Sequence, residues 1–104
     1  MELVHKHIIL RIEANNPPEE NELKEWMVEL VDKIGMKILA GPISANIDYM
    51  PGNNGPTCVV IIETSHFACH VWNDTDPALI QLDVYTCGPF DPQKVIEHIQ
   101  VWDP

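Results

Sequence analysis

Lysine and arginine are scarce in this 104-residue chain: 6 stand against 16 Asp and Glu, for a formal net charge of −10. None occurs between Ile38 and Gln93, a stretch that carries Asp48, Glu63, Asp74, Asp76, Asp83 and Asp91. Nucleic-acid binding depends on neutralising phosphates with basic side chains, so no nucleic-acid partner is expected. A Gly-rich loop bearing a Lys is also missing, which argues against nucleoside triphosphates. A small cationic ligand suits this charge distribution better. No run approaches the roughly 18–20 apolar residues of a membrane span, and the start MELVHKHII lacks a signal-peptide pattern. Neither a membrane partner nor export is therefore expected. Cysteines number three (Cys58, Cys69, Cys87) and cannot close into a disulfide set. A reduced, cytoplasmic protein is the default expectation. Repeats, linkers and low-complexity runs are absent too. With 45% apolar residues, residues 1–104 read as one globular domain.

What is present reads segment by segment. Leu3 to Glu13 alternates, with Lys6, Ile8, Leu10 and Ile12 on one side and His5, His7, Ile9, Arg11 and Glu13 on the other. This is the pattern of a half-buried strand. Asn16-Pro17-Pro18-Glu19 predicts a helix start with Asn16 as N-cap and Glu19 closing a capping box. Leu23, Trp26, Met27, Leu30, Val31 and Ile34 recur at helical spacing, and Gly35 supplies a stop. A short strand is expected at Met36–Leu39, then irregular chain to Gly55, with a loop over 50–56. Cys58–Ile62 is a continuous β-branched run, the signature of a central strand covered on both faces. Strands at His66–Trp72 and Leu79–Cys87 follow. Asp91-Pro92 opens a last helix with Val95, Ile96, Ile99 and Trp102 on one side.

The order β-α-β-β-β-β-α predicts an α+β fold: an antiparallel sheet of four to five strands with both helices on one face. Alternation places Phe67, Cys69, Val71, Ile80, Leu82 and Val84 toward the helices. His66, His70, Asp83, Tyr85 and Cys87 then share the other face with His5 and His7. So many ionisable groups do not make a second core, which leaves a functional site, an interface, or both.

Glu63-Thr64-Ser65-His66-Phe67-Ala68-Cys69-His70-Val71-Trp72 and Asp83-Val84-Tyr85-Thr86-Cys87-Gly88, with Gly55-Pro56-Thr57 upstream, carry the most specific signal. Together they resemble the prokaryotic, pyruvoyl-dependent S-adenosylmethionine decarboxylases. That family's pattern runs Glu-Ser-His, then His-x-Trp-Pro-Glu, then Asp-x-Tyr/Phe-x-Cys-Gly. The likeness spans nearly the whole chain, including the strand Lys6-His7-Ile8-Ile9-Leu10. It implies a proenzyme that cleaves itself before a serine, here at Thr64–Ser65, and leaves a pyruvoyl group derived from Ser65. That ketone captures the substrate amine and draws off electrons as CO2 leaves. By position, His70 would move protons during processing, with Thr57 standing where the family has a serine. Cys87 would reprotonate the α-carbon. Asp74, Trp72, His66 and Tyr85 would contact substrate. The resemblance also implies a homodimer with two sheets face to face, an αββα sandwich with sites at the interface, and a place in polyamine (spermidine) synthesis.

Relative to that pattern the chain is divergent. Thr64 stands where the glutamate is expected, Asn73 where the proline is, and the family is expected to continue past position 104 into another strand and tail. Two alternatives therefore stay open. One is a homologue that does not process and acts as a binding or regulatory subunit; the other is a decarboxylase of another cationic amino acid, arginine or ornithine. Plainer readings also have a claim on single residues. Serines are common in turns. His66 and His70 point the same way on a strand but lie about 13 Å apart, too far for one zinc, so no metal is expected. Cys58 and Cys69 read as inert core thiols, and Trp26 and Trp102 as core.

Overall fold

The computed structural model describes residues 4–102. Its elements follow the order β1 (Lys6–Ala14), α1 (Glu20–Lys33), β2 (Ile38–Ile47), β3 (Gly55–Ile62), β4 (Ser65–Trp72), β5 (Ala78–Thr86) and α2 (Pro92–Ile99), with a short 3-10 turn over Gln100–Trp102. The five strands form one sheet in the order β1-β5-β4-β3-β2, and every neighbouring pair is antiparallel. This is the α+β architecture expected, with five strands. Leu3, the expected first residue of β1, lies outside the described residues.

Both helices cover the same face. Leu23, Met27, Leu30 and Val31 of α1 and Val95 and Ile99 of α2 close over Cys58, Val60, Phe67, Cys69, Ile80, Leu82 and Val84 in one buried cluster. Burial removes these side chains from water at about 1.5–3 kcal/mol for each large aliphatic or aromatic group. Lys6, the polar residue on the apolar side of β1, donates from Nζ to the Phe90 carbonyl at 3.0 Å and ties β1 to the approach of α2. The two helices hold each other through a reciprocal clasp. Trp26 Nε1 donates to the His98 carbonyl and His98 Nε2 to the Trp26 carbonyl, both at 3.1 Å, with the rings stacked at 4.6 Å. Trp102 packs on the same indole at 4.3 Å.

Three local expectations are corrected. First, α1 starts at Glu20 rather than after Asn16, and the N-cap is Glu19. A residue preceding proline disfavours helical backbone, so Pro17-Pro18 delays the helix. The capping box moves three residues on, with Glu22 Oε1 accepting from the Glu19 N–H at 3.2 Å. The C-terminal stop is as expected: Gly35 has φ 77°, and Gly35 and Met36 donate back to Asp32 and Val31, both at 3.0 Å, closing a Schellman motif. Second, the irregular stretch after Leu39 is strand. β2 runs to Ile47, with register shifts between Ile38 and Ile43 where Gly41-Pro42 interrupts the ladder. Those bulges erase the two-residue period by which a strand is recognised, and an edge strand tolerates the proline. Third, β3 begins at Gly55 and is covered on one face only. Cys58, Val60 and Ile62 are buried, while Ile61 on the other side is 45% exposed. Gly55 has φ 139°, and a Cβ there would overlap the Val71 carbonyl, so no other residue fits this strand start.

Candidate active site

The face without helices is a grid set by the strand registers. Its middle rung runs Ile9–Asp83–Ala68–Val59–Ile43 across all five strands. On one side lies His7–Tyr85–His66–Ile61, and on the other Arg11–Gln81–His70–Thr57–Ala45. Of the expected face residues, His7, His66, His70, Asp83 and Tyr85 lie on these rungs, while His5 and Cys87 sit just beyond the ends of β1 and β5; they form two separate groups.

The first group gathers at the β3–β4 hairpin. Glu63 and Thr64 make a two-residue turn between Ile62 and Ser65, which pair directly. Ser65 has φ 141°, the only positive φ at a non-glycine among the described residues. Such backbone costs on the order of 1–3 kcal/mol and persists only where surrounding bonds impose it. Here they do: the Thr64 carbonyl accepts from the Cys87 N–H at 2.7 Å, and the Cys87 carbonyl accepts from Val4 at 3.1 Å. The Thr64 hydroxyl is turned to the Met36 sulfur at 3.1 Å. Gly88 leaves room for Thr64, since a Cβ at 88 would stand 3.3 Å from the Thr64 methyl. Beside the hairpin, His66 stacks on Tyr85 at 5.9 Å. Tyr85 Oη bonds His5 Nδ1 at 2.7 Å, and His7 Nε2 bonds Asp83 Oδ1 at 2.8 Å.

The second group lies toward the far end of β4. Thr57 Oγ1 and His70 Nδ1 share a hydrogen bond of 3.1 Å, and His70 stacks on Trp72 at 5.9 Å. Trp72 Nε1 donates to Asn53 Oδ1 at 2.9 Å, and Asp74 Oδ2 accepts from the Gly52 N–H at 2.6 Å. Asp74, expected at the substrate, thus spends one carboxylate oxygen on holding the 50–54 loop. Asn53, an exposed loop residue with no motif around it, gives no sequence signal of this role.

The sheet registers add the height of each site residue along its strand. His70 and Cys87 share a face but do not meet within one chain. Cys87 lies just past the end of β5, level with Thr64, whereas His70 pairs with Gln81. Ser65 and His70 are five residues apart on one strand, about 16 Å at 3.3 Å per residue. Alternation reports which side a residue faces and carries no information on its height along the strand.

The remaining cysteines are inert, as expected. Burial pushes the Cys58 thiol up to about 11 and the Cys69 thiol further still. Among the described residues no three His, Cys, Asp or Glu side chains are grouped to hold a metal ion, and no helix is long and apolar enough to cross a membrane.

A family model for S-adenosylmethionine decarboxylase matches residues 9–101. The chain belongs to the S-adenosylmethionine decarboxylase family. A protein named S-adenosylmethionine decarboxylase proenzyme from Pyrococcus horikoshii is 30% identical over 95% of this chain and 69% of its own length. Its namesake from Pyrococcus furiosus is 29% identical over the same shares. A protein named arginine decarboxylase proenzyme from Aeropyrum pernix is 29% identical over 91% of this chain and 71% of its own length. Family membership gives the two groups a common frame. The serine hairpin and the Thr57–His70 pair lie in the Glu63–Trp72 and Gly55–Thr57 motifs.

Proposed function

We propose that this member of the family is a self-processing proenzyme that cleaves at Thr64–Ser65 and then decarboxylates S-adenosylmethionine, serving polyamine (spermidine) synthesis. One observation carries the reading: among the described residues the only non-glycine with positive φ is Ser65, and the carbonyl before it already accepts a backbone N–H from Cys87. Attack of Ser65 Oγ on the Thr64 carbonyl carbon puts negative charge on that oxygen, where the Cys87 N–H stabilises it. Collapse breaks the C–N bond, frees the Ser65 amine and forms an ester. Loss of the Ser65 α-proton then expels the Thr64 carboxylate, and hydrolysis of the resulting enamine releases ammonia and leaves the pyruvoyl group. Breaking the peptide bond also relieves the backbone constraint at Ser65.

The pyruvoyl group supplies the electrophilic ketone and electron sink for loss of CO2. The chain's own residues do the rest. Cys87 delivers a proton to the substrate α-carbon. Tyr85, stacked on His66, offers a π-face to a cationic substrate, and Trp72 and Asp74 hold the other side of the pocket. Thr57 orients His70 for proton transfer in processing.

This chemistry needs His70 at Ser65, and a second copy supplies it. We read the protein as a homodimer whose open faces stack into an αββα sandwich, each serine hairpin lying over the partner's Thr57–His70 pair. Ile9, Ile43 and Ile61 are 58%, 62% and 45% exposed on that face, a patch that calls for a cover. The apolar run of β3, covered on one side only, calls for the same.

Release of labelled CO2 from carboxyl-labelled S-adenosylmethionine tests the activity, with Ser65→Ala as the control. Activity in the parent and none in the variant is expected. Release from labelled arginine instead would transfer the reading to the chemistry named for the Aeropyrum relative. Inertness toward both, with an unbroken chain, would favour a binding or regulatory subunit, the reading that Thr64 in place of glutamate supports.

A further inference from the structure

We propose that Arg11 of each subunit pairs with the partner's Asp83, and that these two symmetric ion pairs set the register in which the open faces stack. The inference rests on the dimer reading above and adds to it what holds the two copies in line. A two-fold axis lying between the stacked sheets and running across the strands exchanges positions about one height. Bringing Ser65 over the partner's His70 puts that height midway between them, at residues 67–68 of β4. The rung at this height is Ile9–Asp83–Ala68–Val59–Ile43.

Every residue of that rung then faces its own copy. For Ile9, Ala68, Val59 and Ile43 this gives apolar contact. For Asp83 it brings two carboxylates together in a layer that stacking removes from water, which is costly unless a cation joins them. His7 and His66 approach Asp83 at 2.8 and 4.0 Å but are charged only when protonated. Arg11 is the chain's single arginine, and it lies exposed on the same face, one rung from Asp83. Among the described residues it has no salt-bridge partner in its own chain. The same rotation carries each Arg11 to the height of the partner's His7 and Tyr85, beside the partner's Asp83. The guanidinium is long enough to cross between the sheets, and its fixed charge meets the carboxylate at any working pH. An unpaired arginine and an unneutralised carboxylate pair thus resolve each other in one register.

Sedimentation equilibrium on the purified full chain at pH 8 tests this with Arg11→Glu, Asp83→Arg and the double swap. Each single swap is expected to weaken dimerisation at least about tenfold, and the double to recover to within about threefold of the parent. Singles that dimerise as tightly as the parent, or a double no better than the singles, would overturn the pairing. Circular dichroism checks that each variant folds. Should a swap fail to fold, Arg11→Gln and Asp83→Asn take its place, and each must still weaken the dimer. A parent chain that stays monomeric at every concentration removes both the dimer and the pairing. A dimer indifferent to these substitutions removes the pairing alone.

Discussion

Ser65 is held in an unfavourable backbone conformation by bonds on both sides of it: the ladder to Thr86 and Ile62 after it, and the Thr64 carbonyl pinned to Cys87 before it. A serine placed in a turn for ordinary reasons would not need positive φ, since turns that require it recruit glycine or asparagine. On the proposed reading, that difference separates a reactive serine from a turn serine. Thr57 makes a matching case at the second group. Its hydroxyl is the one described side-chain partner of the His70 ring nitrogen, and it serves where the family pattern has serine. Thr57→Val keeps the shape and removes the bond. Self-cleavage, followed as band conversion on a gel over time, is expected to slow by about 10- to 100-fold, corresponding to about 1.4–2.8 kcal/mol. Unchanged conversion would show that His70 needs no such orientation.

The two helices meet through His98 and Trp26, and acid is expected to weaken that contact. Burial first, and Lys33 secondarily, hold the His98 imidazole below its ordinary value of 6.5, while the bond to the Trp26 carbonyl partly opposes them. The unfolded chain therefore takes up the proton first as pH falls. The contribution of His98 is complete above about 6.5 and is lost as pH drops toward its lower folded value. Thermal melts from pH 8 to pH 5 should show a decline in Tm that is smaller in His98→Asn by a few degrees, since a half-exposed group is partly screened. Equal declines would remove His98 from the acid response.

Legibility at this scale follows from periodicity. α1, β4 and β5 were readable because Leu23 to Ile34 kept the helical period and Phe67 to Val84 kept the strand alternation over long runs. β2 was not, because its register shifts twice within six residues, the second time across Gly41-Pro42. The candidate site was legible in kind: Ser65, His70, Thr57 and Cys87 stand in motifs, and alternation put the histidines on the open face. Its division into two groups was not, because height along a strand depends on pairing register, which emerges only when Cys87 is found level with Thr64 and His70 level with Gln81.

At the scale of the whole molecule, a sheet with one face open accounts for the unusual features together. It explains the half-covered β3, the exposed isoleucines, the lone Arg11 and two half-sites about 16 Å apart on one strand. It also gives the charge distribution a use. The stretch without Lys or Arg spans every residue from Thr57 to Cys87, as befits a pocket for a cation. Activity of this protein depends on whether the hairpin at Thr64–Ser65 opens its own backbone. Intact mass spectrometry of the purified protein after prolonged incubation measures that directly. Two pieces of about 7 and 4.5 kDa, the smaller with a blocked N-terminus, are predicted. A single unbroken species of 11.8 kDa would contradict it.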